Sequence, residues 1–167
     1  MLIPFFKSSF FSQYLAIFLI GLILWMGGFI QATPMPPPEG PVPVYALLYH
    51  WLKSYPLISS LSAFLLNITA GFSFIAILNR HELIQKNSSL SGLVLVVFVS
   101  LHPLLLSLNP VSLSLWIFLF ILHHLLIYYN KPEHLDRVFT IGFSACITAF
   151  IYLPGLLTLL YIFIGLI

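Results

Sequence analysis

Five apolar stretches, each about as long as a bilayer's hydrocarbon is thick, are separated by short gaps that hold nearly all the charged residues. The stretches cover 14–30, 57–78, 90–108, 111–129 and 138–167. Such a chain cannot clothe a soluble globule. A water-facing surface needs roughly a quarter of its residues charged, whereas this chain of 167 residues is 60% apolar and 6% charged. The apolar runs are continuous, with no alternation, so each span satisfies its own backbone as a helix and a barrel is excluded. The expected fold is an all-α membrane protein: a bundle of five to six transmembrane helices with an external interfacial helix, in a single domain over 1–167.

The first run follows an amphipathic start that carries Lys7 and several phenylalanines. At about 17 residues it exceeds a signal-peptide core, and Ile30-Gln31-Ala32 fits a cleavage site poorly, so an uncleaved anchor is expected. Runs three and four are joined only by Leu108-Asn109-Pro110, with Pro110 placed to open a new helix, which predicts a tight antiparallel hairpin. Pro154-Gly155 interrupts the last run and divides it into 138–153 and 156–167. The end falls inside an apolar run, so either the chain continues or its terminus lies in the membrane.

Cations in short connections stay on the cytoplasmic side. Lys7, Arg80, Lys86, Lys131 and Arg137 fall on one side of the spans and Lys53 alone on the other, which predicts a cytoplasmic amino end. The net charge of +2 reflects this retention pattern and offers no clustered basic face for nucleic acid. The lone Cys146 falls in the last run, where a buried structural thiol is expected and no intramolecular disulfide can form.

The external connection 31–56 starts with six prolines between Pro34 and Pro43, a run held extended because each ring fixes φ and lacks a donor. Glu39 is the one charge within that proline run. Residues 45–55, with Tyr45, Tyr49, His50, Trp51, Lys53 and Tyr55 among leucines, suit a helix lying at headgroup level. One reading is a connector anchored by its aromatics. The other makes Glu39 the catalytic carboxylate of an external site, with His50, Lys53 and His102 binding substrate.

Within the spans, Asn67 and Thr69 suit hydrogen bonding between helices. His123 and His124 lie about 100° apart around a helix and cannot share one ligand, and His134 has only Glu133 and Asp136 nearby, so no metal and no other cofactor is expected. Two mixed-charge clusters, Arg80, Glu82 and Lys86 in one inner connection and Glu133, Asp136 and Arg137 in the other, are candidate docking residues for a protein partner. As mere surface pairs they contribute roughly 0–1 kcal/mol each.

Phe5-Phe6-Lys7-Ser8-Ser9-Phe10-Phe11 with Gln13-Tyr14, the segment Leu78-Asn79-Arg80-His81-Glu82-Leu83, the hairpin from His102-Pro103 to Asn109-Pro110, and Phe150-Ile151-Tyr152-Leu153-Pro154-Gly155 resemble the N-terminal part of an uncharacterised polytopic inner-membrane family of Bacteroidota. That resemblance implies further spans and no particular activity. In layout the chain is more distantly similar to polytopic glycosyltransferases and polymerases that use polyprenyl-linked sugars. In those a first span leads to an external loop with an acidic residue, here matched by Glu39, and to helices along the membrane, here 45–55. Three functions follow as expectations. The first is a non-catalytic subunit or scaffold of an envelope assembly, with the bilayer and membrane proteins as partners. The second is an enzyme acting on a lipid-linked substrate. The third is a small transporter using Asn67, Thr69 and Thr148.

Overall fold

The computed structural model describes residues 11–31, 34–38, 40, 42–84, 88–130, 135–157, 162 and 164. Among the described residues there are six α-helices and no strand. They are α1 (Phe11–Gln31), α2 (Pro43–Leu52), α3 (Pro56–Arg80), α4 (Leu90–Ser100), α5 (Pro110–Asn130) and α6 (Leu135–Ile151), with single 3₁₀ turns at Pro103–Leu106 and Leu153–Leu156. Pro43, Pro56 and Pro110 each occupy the first position of a helix, where the missing N–H has no intrahelical partner to lose. Three helices, α1, α3 and α5, are long and apolar enough to cross a membrane.

Among the described residues, prolines cut two of the expected crossings short, so that three helices reach spanning length there. The stretch 90–108 is not one helix: α4 stops at Ser100, and His102 is extended at φ −98° and ψ 119° ahead of Pro103. A proline there removes a helical donor, clashes with the turn before it and pushes the preceding residue out of the α region. Eleven residues rise only about 17 Å, well short of roughly 30 Å of hydrocarbon. In the same way α6 ends at Ile151 and Tyr152 is extended just before Leu153-Pro154, near the expected break. The second half expected there, 156–167, lies mostly outside the described residues. The segment expected at the interface forms α2, which starts two residues earlier than expected and ends at Leu52; Tyr55, just before Pro56, lies outside the α region at φ −128° and ψ 71°.

The chain divides into two compact units, one of Met1–Pro36 with Leu52–Asn109 and one of Pro37–Trp51 with Pro110–Ile167. In the first, α1, α3 and α4 pack on one another. Going up α1, Tyr14 stacks edge-on with Phe72, Phe18 with Phe64, and Phe29 with Phe64, so α3 runs antiparallel to it. Gln13 meets Ser89 and Trp25 meets Ser100, twelve residues apart on α1 and eleven apart along α4 and its N-cap, so these two helices run parallel. Glycine allows the contact of α3 with α4: a Cβ at Gly92 would sit 2.7 Å from the Gly71 carbonyl oxygen and also strike the Ile75 side chain. Without a hydrophobic drive between helices in lipid, this close backbone approach supplies the dispersion that holds them. In the second unit α5 and α6 form an antiparallel pair around Ile121, Ile141, Ala145 and Ile162, with Ile117 and Leu125 beside them. Ala145 faces this core and Cys146, turned about 100° further round α6, is exposed, so the thiol is not the buried one expected.

One substitution made at two glycines has opposite outcomes. Gly92→Ala drives its methyl into backbone and lowers stability by about 1–3 kcal/mol. Gly27→Ala meets nothing within 4 Å and is neutral or stabilising by up to about 1 kcal/mol through helix propensity. Unfolding in detergent followed by circular dichroism measures both.

Candidate functional site

Where α4 stops, nine residues of backbone from Leu101 to Asn109 leave the α-helical hydrogen-bond ladder among apolar side chains. Such backbone is tolerated only if other groups satisfy it. The Leu101 N–H still donates to Val97 O at 3.1 Å, and Leu105 N–H donates to His102 O at 2.9 Å. From the first turn of α3 the Ser59 hydroxyl, wholly buried, accepts the Leu108 N–H at 3.1 Å. Asn109 Nδ2 donates to Ser107 O at 3.1 Å. Just before the break, Trp25 Nε1 donates to Ser100 Oγ at 2.9 Å while that hydroxyl donates to Val96 O at 2.6 Å. Ser60 Oγ and Ser107 Oγ are buried there without a hydrogen-bond partner among the described residues.

At the end of the α5–α6 pair, Arg137 Nη1 lies 3.0 Å from His124 Nδ1. A guanidinium has no acceptor, so Nδ1 must be the bare nitrogen and the imidazole carries its proton on Nε2. The Phe120 ring stands edge-on to His124 with centroids 4.3 Å apart, and His123 lies beyond at 5.8 Å. Asp136 Oδ2 is 3.9 Å from Arg137 Nε, at the edge of ion-pair range, with the carboxylate largely in solvent. Along α6 the hydroxyls of Thr140, Ser144 and Thr148 each donate to the carbonyl four residues back, at 2.9, 2.8 and 3.0 Å. This conceals their polarity within the helix.

The residues singled out from sequence are dispersed. Glu39, Lys86 and Glu133 lie outside the described residues. His50 is exposed in the last turn of α2 and Lys53 is exposed just after it, while His102 is exposed at the α4 break. Arg80 and Glu82 belong to one unit and Asp136 and Arg137 to the other. Thr69 does not tie helices together: its hydroxyl bonds Leu65 O at 2.6 Å on its own helix. Asn67 is buried, with Nδ2 unpartnered among the described residues. Among the described residues no three His, Cys, Asp or Glu side chains are grouped as metal ligands.

Glu82 has a backbone role instead. It closes α3 at φ 54°, with its N–H to Asn79 O at 3.3 Å and the Leu83 N–H to Leu78 O at 3.1 Å. That left-handed closing position usually takes glycine. Beside it, burial first and the Arg80 charge second push the His81 pKa below the ordinary histidine value. On α2, burial and then Tyr49 push the Tyr45 phenol up, so that buried ring stays neutral at any physiological pH. Comparison of the chain with family models, with curated proteins and with solved structures finds no match in any of the three.

The His81 shift has a sign. The folded chain binds the proton less readily than the unfolded one, so stability is complete above the ordinary histidine pKa and declines as pH falls through and below it. Melting temperatures measured from about pH 8 to about pH 5 should fall at the acidic end, and His81→Asn should flatten that fall.

Proposed function

We propose that the chain is a non-catalytic subunit of an envelope assembly in the bacterial inner membrane, held with its amino end inside and serving to position neighbouring membrane helices. The observation that supports this most is where the polar side chains go. Gln13, Trp25, Ser59, Ser89, Ser100 and the α5–α6 pair His124 and Arg137 are engaged in ties within the fold. A catalytic site needs acid, base or nucleophile converging on one point with hydrogen-bond reach between them. By contrast, the long helices keep wide apolar faces uncovered, since only 28% of the most apolar part of α1 and 22% of that of α5 is buried within the chain. Lipid or partner helices cover such faces.

The interrupted α4 favours a second reading, a small transporter. Half-helices and buried unpartnered hydroxyls such as those of Ser60 and Ser107 are the usual furniture of a substrate path near mid-membrane. Affinity isolation in a mild detergent separates the readings. A subunit is recovered with a stoichiometric membrane protein, and Glu39→Gln leaves both that complex and envelope-glycan synthesis unchanged. Isolation as a lone species counts against the subunit reading, and loss of glycan synthesis in Glu39→Gln points to the enzyme on lipid-linked sugars.

A further inference from the structure

Between α5 and α6 runs an open groove of about 290 Å³ lined by Trp116, Ile117, Phe120, Ser144 and Ile147. On α5, Trp116, Phe120 and His124 are spaced four residues apart and so lie on one face; on α6, Arg137, Ser144 and Ile147 do the same at seven and ten residues. The groove therefore leads along Phe120 to His124, and from His124 to Arg137. Its walls are hydrocarbon and aromatic, and the Ser144 hydroxyl in its lining is already spent on Thr140 O. The far end holds a cation that is 34% exposed, whose Nε is buried without a hydrogen-bond partner among the described residues. Tyr128 and the exposed Tyr129 lie at the same end of α5, where aromatic rings favour the headgroup level.

We infer that this groove binds an anionic phospholipid, one acyl chain lying between Trp116 and Phe120 and the phosphate meeting the Arg137 guanidinium. Charge complementarity selects this occupant: a guanidinium fork matches phosphate oxygens, and its partner His124, bare at Nδ1, orients the fork without neutralising it. Among the described residues Asp136 is the competing charge, and it stands 3.9 Å from Nε, at the edge of ion-pair range, with its side chain 71% exposed. Shape agrees. A compact soluble ligand is held in an enclosed site of roughly 300–1,000 Å³, whereas a flexible hydrocarbon chain suits a one-sided apolar slot. A second copy of the chain fits worse, because pairing across this face about an axis normal to the membrane sets Arg137 against Arg137.

The test is native mass spectrometry of the full chain released from nanodiscs of equal parts phosphatidylglycerol and phosphatidylcholine. The wild type retains phosphatidylglycerol in preference to phosphatidylcholine. Arg137→Gln lowers that retention about fivefold, the worth of one cation near a lipid surface. Arg137→Lys keeps part of it, and Ser144→Phe, which fills the slot and leaves the cation, reduces retention of both lipids. Circular dichroism shows which variants are folded, and the wild-type preference stands as a test even if none is. Equal retention of the two lipids by the wild type overturns the inference, as does unchanged retention in folded Arg137→Gln and Ser144→Phe. A dimer cross-linked through Trp116 and Ile147 also overturns it, by giving the groove to a second copy.

Discussion

A backbone amide in hydrocarbon has no water to fall back on, and this constraint decides most of what the chain does with its polar residues. Each unpaired group costs several kcal/mol. The helices meet the requirement internally, but α4 cannot continue past Pro103, and the turn that follows must borrow partners. Ser59 provides one for Leu108, and the Asn109 side chain closes on Ser107. The Ser59 hydroxyl is thus assigned to this need, and the start of α3 is committed to holding the end of the broken segment.

The same logic governs how α1, α3 and α4 stay together. Apolar side chains gain little by leaving lipid for protein, so the contact has to come from close packing and from polar ties. Gly71 and Gly92 bring two backbones together, while Gly21 admits Ile68 and Gly28 admits Leu106. Gln13 with Ser89 and Trp25 with Ser100 clamp α1 to α4 and its N-cap at two levels about 17 Å apart. Bonds of this kind contribute about 0.6 kcal/mol each on average. Two of them set the register more than the strength: a shift of one residue would break both bonds.

Much of the helical layout was legible because it follows from length and from proline. Pro56 and Pro110 mark the starts of α3 and α5, the runs 57–78 and 111–129 fall inside those helices, and Pro154 marks the end of α6. Pro103 carried an equally readable signal, but a continuous apolar run from 90 to 108 hides a break when only hydropathy is considered. The site was much less legible. Ser89 and Gln13 are 76 positions apart, and Trp25 and Ser100 are 75 apart. No local pattern announces either pair. Arg137 was noticed for its charge, but its contact with His124, thirteen positions away, follows only once α6 packs on α5. Thr69 and Thr148 drew notice as polar groups in apolar helices, yet each is silenced by its own backbone.

Hydrogen exchange of the chain in lipid nanodiscs, resolved to single amides, tests most directly whether the interrupted segment is dry and held by a side chain from α3. The Leu108 amide should be protected in the wild type even though it is outside any helix, and Ser59→Ala should release it while the middle of α3 stays protected. If Leu108 in the wild type exchanges as fast as an unstructured peptide, the break in α4 is open to water and the ties described around it do not hold the fold.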